Sequence, residues 1–112
     1  MPDVSANADP NTGYYLIYQG SPIYVGGTSA VAPLLAGLIC RINQLRSANT
    51  GLLQTSIYAA NPSVCRDITS GSNGAYSASV GFDNCSGLGV LDGTKLLSLL
   101  NGMSNKQRVI FF

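Results

Sequence analysis

Gly26-Gly27-Thr28-Ser29-Ala30-Val31-Ala32-Pro33 is the segment around which this chain organises itself. Ahead of it, Tyr14-Tyr15-Leu16-Ile17-Tyr18 is aromatic and β-branched, Gln19-Gly20-Ser21-Pro22 reads as a turn, and Ile23-Tyr24-Val25 returns. A β-hairpin is therefore expected to deliver the chain to the two glycines. Behind them a helical pattern runs from about Thr28 to Ser47, with Thr28 in the N-cap region and Pro33 in the first turn or so, where its missing N–H does least harm. Ser29 thus stands where a strand gives way to a helix, behind two small residues that let other segments approach. Several hydrolase families present a nucleophile this way, with the hydroxyl exposed and helix-start N–H groups ready for a developing oxyanion. A serine that only caps a helix start is the plainer reading of the same residues.

A serine nucleophile needs a base to take its proton. The chain has no histidine, and its acidic residues are all aspartates. Asp3 and Asp9 fall in the turn-rich segment 1–13, where capping and turn hydrogen bonds are the default for such residues. Lys95 and Lys106 lie outside the serine motif. The sequence offers an attacking group without its activator.

Val31, Leu34, Leu35, Leu38, Ile39, Ile42 and Leu45 make the helix after Ser29 apolar nearly all round, so it is expected to be buried on most sides, with Cys40 a buried free thiol inside it. Arg41, Asn43, Gln44 and Arg46 mark its emergence into solvent. Leu52 to Ala59 suggests a short helix ended by Asn61-Pro62. Residues 63–90 are rich in Ser, Gly and Asn and read as a functional loop. Asp92 is expected to cap a last helix whose Leu96, Leu97, Leu99 and Leu100 form one stripe, stopped by Asn101-Gly102. The tail ending in Val109-Ile110-Phe111-Phe112 suits a final strand or a docking segment.

The chain's 112 residues suffice for one small domain. Charged residues make up 10%, far below the ~25% of soluble proteins, so much of the outside is expected to be covered by another body. A net charge of +1 with dispersed Lys and Arg argues against nucleic acid or an acidic membrane as partner. The longest apolar run, Ala30 to Cys40, contains Pro33 and is too short to span a bilayer. Met1 to Asn7 lacks the basic-then-apolar pattern of a signal peptide.

Beyond the serine motif, Pro2-Asp3-Val4-Ser5-Ala6-Asn7-Ala8-Asp9-Pro10, Thr12-Gly13-Tyr14, Arg41-Ile42-Asn43-Gln44, Asp67-Ile68-Thr69-Ser70-Gly71 and Gly81-Phe82-Asp83-Asn84-Cys85-Ser86-Gly87-Leu88-Gly89 occur in order. Together these resemble the sedolisins, the serine-carboxyl peptidases, over about residues 2 to 100. The resemblance implies an α/β fold: the C-terminal part of a subtilisin-like catalytic domain at residues 1–102, with a β-hairpin, a buried helix starting at the serine motif, a calcium loop and a C-terminal helix, followed by a tail at 103–112. It implies Ser29 as nucleophile of a serine-type endopeptidase or tripeptidyl-peptidase acting on peptide or protein substrates. The family's activating Glu and Asp and its oxyanion Asp have no counterparts in this chain. The upstream part of the catalytic domain is therefore the implied partner, and the chain alone is expected to be inactive. The family context also implies secretion or an acidic compartment.

The same resemblance implies a Ca²⁺ site formed by the Asp67 and Asp83 carboxylates with the carbonyls of Ile68, Ser79 and Gly81. Such an all-oxygen donor set suits that ion. Ser79 departs from the family's usual glycine, which matters only if the backbone there needs positive φ. Ordinary loop acids making turn hydrogen bonds are the alternative reading of Asp67 and Asp83. An ion drawing both carboxylates together would also bring Cys65 near Cys85, making a disulfide between them a hypothesis. A rival functional class is a non-catalytic, calcium-stabilised structural or interaction module derived from a peptidase.

Overall fold

The structure, a computed structural model, describes residues 1–103. After a single 3₁₀ turn at Pro10–Thr12 come strands β1 (Tyr14–Tyr18) and β2 (Ser21–Val25) and the helix α1 (Thr28–Arg46). A short helix α2 (Gln54–Ala60), strands β3 (Cys65–Arg66) and β4 (Val90–Leu91), and a helix α3 (Gly93–Gly102) complete the order. The tail expected to form a strand or docking segment lies outside the described residues.

The hairpin is tighter than its sequence suggests. Gln19 and Gly20 both take positive φ, 49° and 79°, the pattern of a two-residue turn whose twist matches the flanking strands. Ser21 and Pro22 therefore belong to β2, with Pro22 opposite Ile17. One step from the turn, Pro22 occupies a non-hydrogen-bonded position, where its missing N–H costs the ladder nothing.

Gly27, not Thr28, is the N-cap position of α1, and among the described residues no side chain caps the helix. Pro33 lies one turn further in than expected, at the sixth helical position, and withholds the N–H that the Ser29 carbonyl would otherwise receive. Ser47, in the left-handed conformation, closes the far end with its N–H on the Gln44 carbonyl.

The core sits at the C-terminal half of α1, where Ile42, Ile57, Val64, Cys65, Leu88, Leu96 and Leu100 are buried together. Leu96 and Leu100 come from the predicted stripe of α3, whose N-cap Asp92 accepts the Lys95 N–H at 3.0 Å. Gly93, at the start of α3, leaves the space that a Leu38 methyl of α1 fills, since a Cβ there would stand 2.9 Å from it. β4 pairs antiparallel with β3 and, through Val90, in parallel with Ser5.

The expected burial of α1 is not met within this chain. Only Ile42 of its residues is fully buried; Leu34 is 50% and Leu45 67% exposed, and Cys40 is an exposed thiol, not a core one. The reason is one-sided packing: Leu38, Ile39 and Ile42 face the core, while the opposite face meets solvent. The hairpin is likewise bare, with Ile17, Tyr18 and Tyr24 more than half exposed. Among the described residues no helix is long and apolar enough to cross a membrane.

Candidate active site

Ser29 is exposed at the second position of α1. Its place is set by the loop before the hairpin. Asn7 folds that loop on itself, its side-chain amide donating to the Thr12 carbonyl at 2.8 Å, while Asp9 caps the 3₁₀ turn through the Asn11 N–H at 2.8 Å. The Tyr14 hydroxyl donates to the Asn7 carbonyl at 2.7 Å. Against this folded loop lie the two glycines. A Cβ on Gly26 would stand 2.5 Å from the Pro10 nitrogen and 2.8 Å from the Ala8 carbonyl oxygen. Gly27, at φ 89°, donates its N–H to that same carbonyl at 2.6 Å. Here the sequence reading holds: small residues let a neighbouring segment close in.

The result is a serine at the positive end of a helix dipole, beside first-turn amides that no side chain among the described residues caps. It borders an open groove of about 700 Å³ whose walls are Tyr14, Tyr15 and Leu16 of β1 and Ala30, Pro33 and Leu34 of α1. Among the described residues no side chain bonds the Ser29 hydroxyl. The aspartates are occupied elsewhere: Asp3 with Tyr58, Asp9 and Asp92 as caps, Asp67 and Asp83 in the loop described next.

Asp83 is buried and anchors its loop. Its Oδ1 accepts the N–H groups of Ser86 at 2.7 Å and Cys85 at 2.9 Å, its Oδ2 that of Ser79 at 3.0 Å, and the Ser86 hydroxyl reaches both oxygens. The Ser79 N–H first, then those of Ser86 and Cys85 and the Ser86 hydroxyl, hold the Asp83 carboxyl below the usual carboxylate range, against the opposing effect of burial. Asp67 reaches the same loop: its Oδ2 accepts the Gly81 N–H at 2.8 Å, and its Oδ1 is buried without a hydrogen-bond partner among the described residues.

Both carboxylates thus converge on the segment 79–81. An orphaned buried carboxylate oxygen is costly unless a cation meets it, so this donor set fits an oxygen-seeking ion. Among the described residues no three His, Cys, Asp or Glu side chains gather, so further ligands would be carbonyls, as expected from Ile68, Ser79 and Gly81. Gly81 takes φ 85°, whereas Ser79 is not among the positive-φ residues, so the serine in place of the usual glycine carries no backbone strain.

Cys65 and Cys85 are both free, so the disulfide hypothesis is not met in the structure. Cys65 is buried in the core, and that burial pushes its thiol pKa up. The two aspartates meet on residues 79–81 instead of drawing their flanking cysteines into a bond.

Sequence reading missed what segment 1–13 does. Asp3 to Ser5 lie alongside Leu88 to Val90, with Leu88 N–H on the Asp3 carbonyl at 2.8 Å and Ser5 N–H on the Gly89 carbonyl at 2.9 Å. The Tyr58 hydroxyl donates to Asp3 Oδ1 at 2.8 Å, and this bond, with burial and the nearby negative charge, raises the Tyr58 pKa. A pairing of so few residues leaves no alternating pattern to find.

The frame is a mixed α/β segment that matches part of a serine-carboxyl proteinase. It superposes on Pseudomonas sedolisin, solved in complex with two molecules of pseudo-iodotyrostatin, with a TM-score of 0.82 and 34% identity, over 90% of this chain and 29% of that one. In sequence it is 45% identical over 106 residues to kumamolisin of Bacillus sp. (strain MN-32). It is 36% identical over 103 residues to sedolisin of Pseudomonas sp. (strain 101), and 39% identical over 107 residues to tripeptidyl-peptidase sed1 of Aspergillus fumigatus. The chain belongs to the sedolisin family. These alignments cover 89%, 86% and 88% of it but only 19%, 18% and 16% of the three relatives, so it spans less than a fifth of their length. No protein-family model matches the chain.

Proposed function

We propose that this chain is the nucleophile-bearing segment of a sedolisin-type serine-carboxyl peptidase, hydrolysing peptide bonds through Ser29 once the remainder of the catalytic domain completes the site. One observation carries this reading: an exposed serine at an uncapped helix start, held in an open groove by a two-glycine turn. In this scheme a carboxylate from the remainder takes the Ser29 proton as Oγ attacks the peptide carbonyl. The tetrahedral oxyanion faces the first-turn amides of α1. Collapse expels the amine with the proton returned to it, and water then releases the acyl group from Ser29. A carboxylate base near pKa ~4.3 stays competent in acid, where a histidine near ~6.5 is already protonated. Because every aspartate here is engaged away from Ser29, the chain by itself is expected not to cleave peptides.

The second part of the reading is a Ca²⁺ site at Asp67 and Asp83 with the carbonyls of Ile68, Ser79 and Gly81. When bound, the ion would neutralise the two carboxylates and fix the loop. The unpartnered Oδ1 of Asp67 supports it. Residues 1–102 then form part of the catalytic domain, and 103–112 a tail.

Mixing the chain with the complementary portion of a sedolisin-family catalytic domain tests the proposal. Acid-pH peptide hydrolysis that appears on mixing and is lost with Ser29→Ala supports it. Hydrolysis that survives Ser29→Ala, or a mixture that assembles and stays inert, favours the peptidase-derived binding module.

A further inference from the structure

One short segment is hydrogen-bonded both to the chain just after Asp83 and to the turn before Ser29. At its start, the Asp3 carbonyl accepts the Leu88 N–H, and Ser5 donates to Gly89. Gly87 is bound to Asp83 by a pair of backbone hydrogen bonds, 2.9 and 3.2 Å. A Cβ on Gly87 would stand 2.5 Å from the carbonyl oxygens of both Pro2 and Asp3, so the contact has no slack. Tyr58 adds a side-chain tie: its hydroxyl holds Asp3 while its ring lies 6.2 Å from that of Phe82, the residue before Asp83. At the other end, the Ala8 carbonyl accepts the Gly27 N–H, two residues before Ser29.

We propose that residues 3–8 act as a positioning strap through which the Asp67/Asp83 loop, when it holds a cation, sets the turn that carries Ser29. The proposal rests on the calcium reading above. A stretch this short reaches at most about 18 Å, so displacement at Asp3 is felt at Ala8. A cation biases the strap only through its preference for one loop conformation, and the hydrogen bonds from Asp83 through Gly87, Leu88 and Asp3 give that preference a contiguous route. Tyr58 is a positioning residue on this route, not a catalytic one.

Amide hydrogen exchange on the 112-residue chain, in chelator and in excess Ca²⁺, tests it. Ca²⁺ is expected to slow exchange at residues 79–88 and also, by about fivefold or more, at Gly27 and Ala30. Tyr58→Phe is expected to keep the first effect and weaken the second, as is Ser5→Pro, which removes the bond to Gly89. Protection confined to residues 79–88, or a variant that loses both effects in equal measure, overturns the strap. Absence of protection at 79–88 overturns the calcium reading itself, and the cation-driven strap with it.

Discussion

Gly26 shows how one absent side chain sets up a site. The folded loop at residues 7–12 can approach the helix start only because position 26 has no Cβ; adding one meets backbone atoms of Ala8 and Pro10, which cannot rotate away. Gly26→Ala is therefore expected to cost at least the ~1–3 kcal/mol typical of overpacking, read as a lowered urea midpoint. Asp83 holds its own loop through charge. Its folded pKa is depressed, so its contribution to stability is present above the ordinary aspartate value and disappears as pH falls through the lower, folded one. In chelator, the stability difference between the native chain and Asp83→Asn is expected to stay constant above about pH 4 and narrow below it. A difference unchanged down to pH 2 would contradict this origin. At this scale the sequence was most legible where chemistry forces a residue type, as at Gly26, Gly27 and Asp92. Ser79 was the converse case: only the backbone angles show that no glycine is needed there.

Among the elements, α3 is legible almost as it stands, because a capping aspartate and an amphipathic stripe are local signals. Leu96 is fully buried, and Leu96→Ala is expected to cost about 2–5 kcal/mol, measured by equilibrium denaturation; a loss below ~1 kcal/mol would mean that α3 does not close the core. The hairpin is legible in kind, but the sequence spreads its turn over Gln19 to Pro22, because Pro22 resembles a turn residue until its register opposite Ile17 is known. Helix α1 is legible in its apolar faces but not in what covers them. Periodicity reports which faces are apolar, not whether a partner covers them, and the side bearing Leu34 and Cys40 is bare here. The pairing of Ser5 with Val90 joins residues far apart in sequence by so short a ladder that composition carries no trace of it.

The whole molecule divides its apolar residues between two fates. One set closes a small core around Leu96; the other, on the hairpin and the outer face of α1, is left in water next to Ser29. Exposed apolar surface of this kind suits contact with another body, and it agrees with the scarcity of charge in the composition. It also agrees with the alignment to less than a fifth of each full relative. As proposed above, the Ser29 hydroxyl acts as a nucleophile whose proton acceptor lies in the rest of a sedolisin-type domain. The most direct test of this is reaction with a fluorophosphonate at acidic pH, with the modified residue located by mass spectrometry. A phosphonyl adduct on Ser29 is expected when the complementary portion of the domain is present, and none when the chain is alone. Equal modification of Ser29 in the isolated chain, or an adduct on another serine in the completed domain, would contradict it.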